Sequence, residues 1–506
     1  MELLSTGSCL AFDAGGQSPL FAFCRDPMSP TQEQRRIVSV DAFSDRTSVR
    51  DSLFVVPVLD QFLIYAPLHN LAALVDRRAV LRLKANLFSG RDVSEGHLGE
   101  IVHILQAEAE PAPLPRQGDL APVFLGLLPT RGCNFSCRYC GFLTPDEAGK
   151  VMDLQLARDA VDWYMGLVSK SGQRDTEVHY FGGEPFYAEE VLHLTVNLAR
   201  IRAEEAGCTV RFEVATNGAF SEERCHWAAD NLDTIVLSLD GPADIQDRYR
   251  PYKDGRGSFE VVARSARILS EGAGDLFFRT CVTAQTVGRM PEIATWFCQD
   301  YRPRGVCFEP VQPSAQSRAG HLEPPDPLAF ASNFFRAAEI LEAHGIEPVY
   351  AAADIRTRRV SFCPVGQDAV IVSPDGVINA CYLPRRDWEA RGLALSLGCI
   401  RENGSVELDA EAVAFARSLN VWNKPFCARC FCKWHCAGGC HVNHVLPDSP
   451  GDYDRLCLQT RIITLRNILR AMGRRDMIRQ LLEDSKALER AAQQASDTLV
   501  DVEERL

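Results

Sequence analysis

Ten of the chain's nineteen cysteines stand at tight, recognisable spacings, and thiolates placed that way in a chain without disulfide context are metal ligands. The first set lies in Arg131-Gly132-Cys133-Asn134-Phe135-Ser136-Cys137-Arg138-Tyr139-Cys140, a C-x3-C-x2-C loop. It offers three thiolates, not four. A four-iron cubane held by three protein ligands keeps one iron open to a small molecule, whereas a structural zinc ion closes its shell with a fourth ligand. The competing reading is a zinc loop completed by a distant residue. The second set runs Cys363-x12-Gly376-x4-Cys381, then Cys427-x2-Cys430-x5-Cys436-x3-Cys440, and ends at Cys457. Seven thiolates would hold two further clusters or, alternatively, two zinc ribbons. The other nine, Cys9, Cys24, Cys208, Cys225, Cys281, Cys298, Cys307, Cys399 and Cys432, read as small buried apolar residues.

Such a loop needs a scaffold. Six short apolar runs, Val123 to Leu128, Glu177 to Phe181, Val210 to Val214, Thr234 to Leu239, Leu276 to Val282 and Gly305 to Phe308, alternate with helical segments. One such helix carries Ala157, Ala160, Val161, Tyr164 and Val168 on one face. Alternation of this kind predicts an α/β fold with a parallel sheet, here a partial (β/α)6 TIM-type barrel, with chemistry at the C-terminal strand ends. Every motif falls there. The cysteine loop follows the first strand, Gly182-Gly183-Glu184-Pro185 the second, Thr216-Asn217-Gly218 the third, and Ser238-Leu239-Asp240-Gly241-Pro242 closes the fourth, with Asp247-Arg248-Tyr249-Arg250 just beyond.

Around this barrel, expected over 120–348, the chain divides further. Leu53 to Val58, Phe62 to Tyr65 and Leu71 to Val75 read as three strands, followed by helices with Val80, Leu83, Leu87 and then Leu98, Ile101, Val102, Leu105 on one face. This N-terminal winged-helix-like α+β unit spans 1–115, and the proline-bearing stretch Ala107 to Pro122 reads as a linker. From 349 to 460 loops rich in Cys, Gly and Pro replace the alternation, so metal clusters are expected to hold that region instead of a large apolar core. Residues 461–506 read as one or two packing helices.

The chain has 46% hydrophobic and 24% charged residues, a globular composition with no apolar stretch long enough to span a bilayer. No secretory signal is evident in residues 1–25, so a cytoplasmic location, with no membrane partner and reduced thiols, is expected. The net charge of -13 argues against nucleic acid and suits a basic peptide better.

The loop Cys133, Cys137, Cys140, with Tyr139 as its aromatic, resembles the signature of the radical S-adenosylmethionine (SAM) superfamily. The resemblance implies a 4Fe-4S cluster whose open iron chelates the amino and carboxylate groups of SAM, with Tyr139 by the adenine. It also implies that Gly182, Gly183, Glu184 and Pro185 meet the methionine amino group and that Ser238 and Asp240 occupy the ribose-contacting position. Arg250 is placed as a partner of the cofactor carboxylate, and Asn217 as a pocket-lining turn residue. The downstream cysteines and Gly376 resemble the SPASM domain of radical SAM maturases. Carried over by position, Cys427, Cys430, Cys436 and Cys457 would hold one auxiliary 4Fe-4S cluster, and Cys363, Cys381 and Cys440 a second, making three clusters in all. That second set is one ligand short, and Cys307, Cys399 or a substrate thiolate would fill it. Cys432 and His435 fall outside the ligand pattern.

Relatives of this architecture mostly modify peptides or proteins. The expectation is therefore a maturase that cleaves SAM to a 5'-deoxyadenosyl radical and forms an oxidative cross-link, thioether or carbon–carbon. Its partners would be a peptide or protein substrate with a leader segment read by the N-terminal unit, and an electron donor such as flavodoxin or ferredoxin. A structural or dimerising role for that unit stays open. The alternatives are a sulfatase maturase forming formylglycine and a non-catalytic zinc-binding scaffold. Sulfatase maturases place an Asp, acting as a base, directly after the cysteine corresponding to Cys381; this chain has Tyr382.

Overall fold

The structure, a computed structural model, describes residues 52–89, 96–142, 149–444, 453–493 and 497–498; Cys9 and Cys24 lie outside the described residues. Strands β1 (Phe54–Val58), β2 (Gln61–Ala66) and β3 (Leu71–Val75) form an antiparallel meander. Side chains alternate between its faces, and each face has its own partner. Val55, Ile64, Ala73 and Val75 pack on the helices Arg77–Ser89 and Gly96–Gln106 through Val80, Leu83, Leu98, Ile101, Val102 and Leu105. Phe54, Val56, Leu63, Tyr65 and Ala72 point the other way, into the core of the main body. The strand and helix order matches expectation, but the second face joins this unit to the rest of the chain. A two-residue strand, Asp497–Thr498, pairs with Val55 and Phe54 at the free edge of β1.

Among the described residues the main sheet has 11 strands. Strands β4 (Leu125–Leu127), β5 (Asp175–Tyr180), β6 (Thr209–Thr216), β7 (Thr234–Ser238), β8 (Asp275–Val282) and β9 (Gly305–Pro310) lie side by side in chain order, all parallel. These are the six expected strands, and β10 (Glu347–Val349) extends them in parallel. Val178, Tyr180, Phe212, Val214, Ile235, Leu237 and Phe278 belong to the large core, which the helix Leu154–Ser171 joins through the predicted face Ala157, Ala160, Val161, Tyr164 and Val168. Val236, Phe277, Cys307 and Val349, in alternate positions, form a separate cluster on the opposite face. Apolar side chains pack on both faces; β7 reads Thr-Ile-Val-Leu-Ser, whereas β5 (Asp-Thr-Glu-Val-His-Tyr) and β6 (Thr-Val-Arg-Phe-Glu-Val-Ala-Thr) mix apolar with polar residues.

Beyond Val349 the structure corrects the sequence reading. The cysteine-rich stretch is not only loops, because β11 (Val370–Val372) pairs in parallel with β4, and β12 (Val377–Asn379), β13 (Ser396–Ile400) and β14 (Val406–Leu408) continue antiparallel from it. Val370, Val372, Ile378, Leu395 and Leu397 bring apolar packing to the region. Three-residue strands fall below the length at which periodicity is legible. One local sign was present: Asp375-Gly376 turns β11 into β12, with Gly376 at φ 79°. The stretch 107–122 has no regular structure, as expected of a linker, but is tied down where Trp422 Nε1 donates to Pro113 O at 2.9 Å. Helix Arg455–Ala471 runs through position 460, and the helices Arg475–Glu483 and Ser485–Gln493 follow it. No helix among the described residues is long and apolar enough to cross a membrane.

Candidate active site

The loop carrying Cys133, Cys137 and Cys140 leaves the C-terminal end of β4 and is pinned along its length. Gly132 N donates to Thr130 Oγ1 at 2.9 Å, Ser136 N to Pro251 O at 2.8 Å and Arg138 N to Tyr249 O at 2.9 Å. Phe135, fully buried, meets the Tyr252 ring edge-on at 4.9 Å. Burial pushes the Cys133 thiol up to about 11 and the Cys137 thiol up to about 12, so binding a metal here must release protons.

Gly182 and Gly183 let the next loop come this close. A Cβ on Gly183 would stand 2.1 Å from Gly132 O, and one on Gly182, at φ 134°, would stand 2.5 Å from Thr130 O. Glu184, 2% exposed, closes the contact: its backbone N donates to Gly132 O at 2.8 Å. Its carboxylate receives Thr216 Oγ1 and Asn217 N, each at 2.7 Å, and Phe186 N at 3.2 Å, the last opening the short turn that Pro185 begins. Burial raises the Glu184 pKa in spite of these donors. Asn217 Nδ2 in turn donates to Asn134 Oδ1 at 2.7 Å and points at Cys133 Sγ at 3.6 Å. Thr130, Asn134 and Thr216 were not predicted as site residues; Asn134 lay inside the cysteine loop, Thr216 opened the turn that carries Asn217, and Thr130 directly preceded the cysteine loop.

Tyr139, Asp240 and Arg250 form a buried chain. Tyr139 Oη donates to Asp240 Oδ2 at 2.5 Å and accepts from Arg250 Nη1 at 2.8 Å. Asp240 Oδ1 accepts from Cys281 N at 3.0 Å, and Gln246 Oε1 receives Asp240 N at 2.9 Å. Arg250 Nε is buried with no hydrogen-bond partner among the described residues. Ser238, at the end of β7, is half-buried. The structure thus gathers the residues predicted after four different strands around one loop.

The other cysteines converge in the C-terminal half. Burial and then Cys430 push the Cys436 thiol up to about 12, and Cys457 is raised by burial, Asp454, Cys436 and Cys430. Burial and then Cys440 push Cys381 up to about 12. Lys424, buried, donates from Nζ to Gly438 O at 2.9 Å between Cys436 and Cys440; burial lowers its pKa against the opposing charges of Cys427, Cys436, Cys363 and Cys440. The groupings Cys427, Cys430, Cys436, Cys457 and Cys381, Cys440 are therefore spatial neighbours. Of the spare cysteines, Cys307 points into the Val236 cluster, 3.5 Å from Glu309 Oε1, and Cys399 pairs with Val377 across β12 and β13. His435 does have a role: it hydrogen-bonds Tyr65 of β2 through Nε2 and faces Thr357 O from Nδ1 at 3.0 Å. Among the described residues His444, Asp454 and Cys457 alone form a trio of ligand atoms within 4.8 Å of one another.

Residues 127–296, from β4 into the helix after β8, match the family model of the radical SAM superfamily. The chain carries a radical SAM domain. Such a domain takes SAM and a 4Fe-4S cluster, and the site fits them: three thiols stand on one pinned loop, Cys133 and Cys137 lie in the field of Arg250, and the buried Arg250 Nε has no hydrogen-bond partner among the described residues. A cysteine-type anaerobic sulfatase-maturating enzyme of Clostridium novyi is 22% identical over 214 residues, 40% of this chain and 56% of that enzyme. Native anSMEcpe with bound AdoMet shares the fold, with a TM-score of 0.54 at 18% identity over 72% of this chain and 100% of the other. The same enzyme with bound AdoMet and the Cp18Cys peptide gives a TM-score of 0.51 at 17% identity, over 71% of this chain and 99% of the other.

Proposed function

We propose that this chain is a peptide or protein maturase that forms an oxidative cross-link, thioether or carbon–carbon, in its substrate. One observation carries the reading: the segment after Cys381 is built against the loop of Cys133. Arg386 Nη2 donates to Gly141 O at 3.0 Å, directly after Cys140, while Phe142 meets Phe181 edge-on at 4.9 Å and Phe181 meets Tyr382 at a tilt at 5.0 Å. Radical initiation and a second cysteine site thus share one wall, as an oxidation that must dispose of an electron requires.

When bound, the cluster and SAM supply a 5'-deoxyadenosyl radical that removes hydrogen from an unactivated C–H bond. The chain supplies the rest. Cys133, Cys137 and Cys140 hold the cluster, and Arg250 binds the cofactor carboxylate through the guanidinium edge that Tyr139 orients. Ser238 meets the ribose, while Asp240 and Glu184 hold the walls. Strands β4 to β9 curve as a partial barrel around the substrate. Cys427, Cys430, Cys436 and Cys457, and Cys363, Cys381 and Cys440, hold the two auxiliary clusters of a SPASM domain, and a flavodoxin or ferredoxin delivers the initiating electron. The substrate is a peptide or protein.

The named relatives favour a second reading, sulfatase maturation, but Tyr382 stands where those enzymes place their Asp, and its ring is committed to Phe181 and Phe124. The two part on the product. With candidate peptides encoded beside the gene, anaerobic turnover should remove two hydrogens and leave no hydrazide-reactive aldehyde. An aldehyde-bearing product would establish the second reading instead.

A further inference from the structure

The C-terminal helices carry a cation into the auxiliary cysteine region. Arg461, on helix Arg455–Ala471, is 1% exposed. Its Nε donates to Ala492 O at 2.9 Å, at the end of helix Ser485–Gln493. Its guanidinium lies 4.1 Å over the Tyr453 ring and 4.8 Å over the Phe431 ring. With those contacts made, Nη1 is left donating to Cys430 Sγ at 3.3 Å. A planar group held by an edge and against two rings has one orientation, and that orientation sets a fixed positive charge on Cys430 Sγ, with the buried Cys432 thiol also in its field.

A buried cation beside a ligand sulfur has a defined effect. Each reduction of an iron–sulfur cluster adds one negative charge, and hydrogen bonds and charges at the sulfurs are among the main determinants of its potential. In a water-poor interior such a charge is weakly screened. The cation therefore stabilises the reduced state more than the oxidised one.

We infer that Arg461 is a positioning residue that raises the reduction potential of the cluster at Cys427, Cys430, Cys436 and Cys457, suiting it to accept an electron from the substrate. The inference rests on the proposed reading of those cysteines as cluster ligands. It also gives the helices Arg455–Ala471 and Ser485–Gln493 a task beyond packing, because Ala492, together with Tyr453 ahead of the first helix, keeps the guanidinium in place.

The test uses the full chain with Cys133, Cys137 and Cys140 replaced by Ala, so that only auxiliary clusters remain. After anaerobic reconstitution, iron is counted and the clusters are titrated potentiometrically with EPR detection. In this background Arg461→Gln should lower the midpoint of one couple and leave the other in place, with iron unchanged, and Arg461→Lys should fall between. Retained iron with both midpoints unmoved in Arg461→Gln would overturn the inference. Should Arg461→Gln lose iron, Arg461→Lys decides: a lowered midpoint upholds the tuning role, whereas an unmoved midpoint or lost iron shows that Arg461 only holds the fold. A parent protein without auxiliary iron would instead sink the cluster reading, and this is seen before any Arg461 variant is made.

Discussion

Tyr139 and Asp240 lie on segments a hundred residues apart in sequence, yet the phenol of one donates to the carboxylate of the other at 2.5 Å. The same phenol accepts from Arg250, so it sits between a buried anion and a buried cation. Hydrogen bonds to charged groups contribute roughly 1.5–3 kcal/mol, and more is lost when the partner stays buried. Tyr139→Phe removes both bonds at once. SAM affinity should fall about tenfold, equivalent to ~1.4 kcal/mol, as Arg250 loses its orientation. Equilibrium binding to reconstituted protein with its full iron content checks this; unchanged affinity would mean that the phenol does not shape the cofactor pocket.

Gly183 and Gly166 should respond oppositely to a methyl group. A Cβ at Gly183 collides with Gly132 O, a backbone atom of the cysteine loop, and cannot be relieved by turning a side chain. Gly183→Ala should cost about 3 kcal/mol, the upper end for overpacking, and lower the iron bound at Cys133. Gly166 lies inside helix Leu154–Ser171 with nothing within 4 Å of its would-be Cβ. Gly166→Ala should stabilise by about 1 kcal/mol through helix propensity alone. Anaerobic thermal melts of the two variants give the signs directly.

Arg358 fastens the N-terminal unit to the cysteine-rich region. Its Nε donates to Pro67 O at 2.9 Å, and its other nitrogens reach Glu110 and Asn70, while Tyr65 bonds His435 next to Cys436. Deleting the unit would strip Phe54, Val56, Leu63 and Tyr65 from the main core, so a point substitution is the cleaner cut. Arg358→Ala should speed hydrogen exchange in β1 to β3 while leaving exchange in β4 to β7 as it was. Equal protection in β1 to β3 would show that the apolar face alone holds the unit. If the unit also recognises a leader, the same variant should weaken peptide binding without changing 5'-deoxyadenosine formation.

The sequence was most legible where one physical signal set the outcome. The six parallel strands were visible because short β-type segments alternate with helical ones, and the cysteine loops because their tight spacings stand out from the scattered cysteines. Strands β11 to β14 were not, since the pairing of β11 to β4 is long-range and the apolar runs of all four are short. The roles of Gly183 and Glu184 were only half legible. A Gly-Gly-Glu-Pro turn marks a close approach of backbone, but that the neighbour is Gly132 follows from the fold. Arg461 and His435 carried no signal, because a cation or imidazole aimed at a buried partner looks like any other helix residue until the partner's position is known.

The two cysteine regions should separate initiation from product formation. The Cys133 loop is held by Thr130, Tyr249, Pro251, Gly183, Glu184 and Asn217, all from the strand ends of β4 to β7 or the segment after them. Cys430 and Cys436 lie in a different segment, fixed by Arg461 and by the turn at Gly438 that Lys424 caps. Replacing Cys430 and Cys436 with Ala should remove about four irons of roughly twelve, the content of three four-iron clusters, and leave the first site standing. Such a variant should still convert SAM to 5'-deoxyadenosine, because cleavage needs only the Cys133 cluster and Arg250. It should yield no modified peptide, because the electron released by substrate oxidation has lost its acceptor. Product and 5'-deoxyadenosine are measured in the same anaerobic reaction, so their ratio is independent of enzyme loading. Undiminished product at wild-type ratio would assign Cys430 and Cys436 a purely structural task, and loss of both products together would place them in the initiating site.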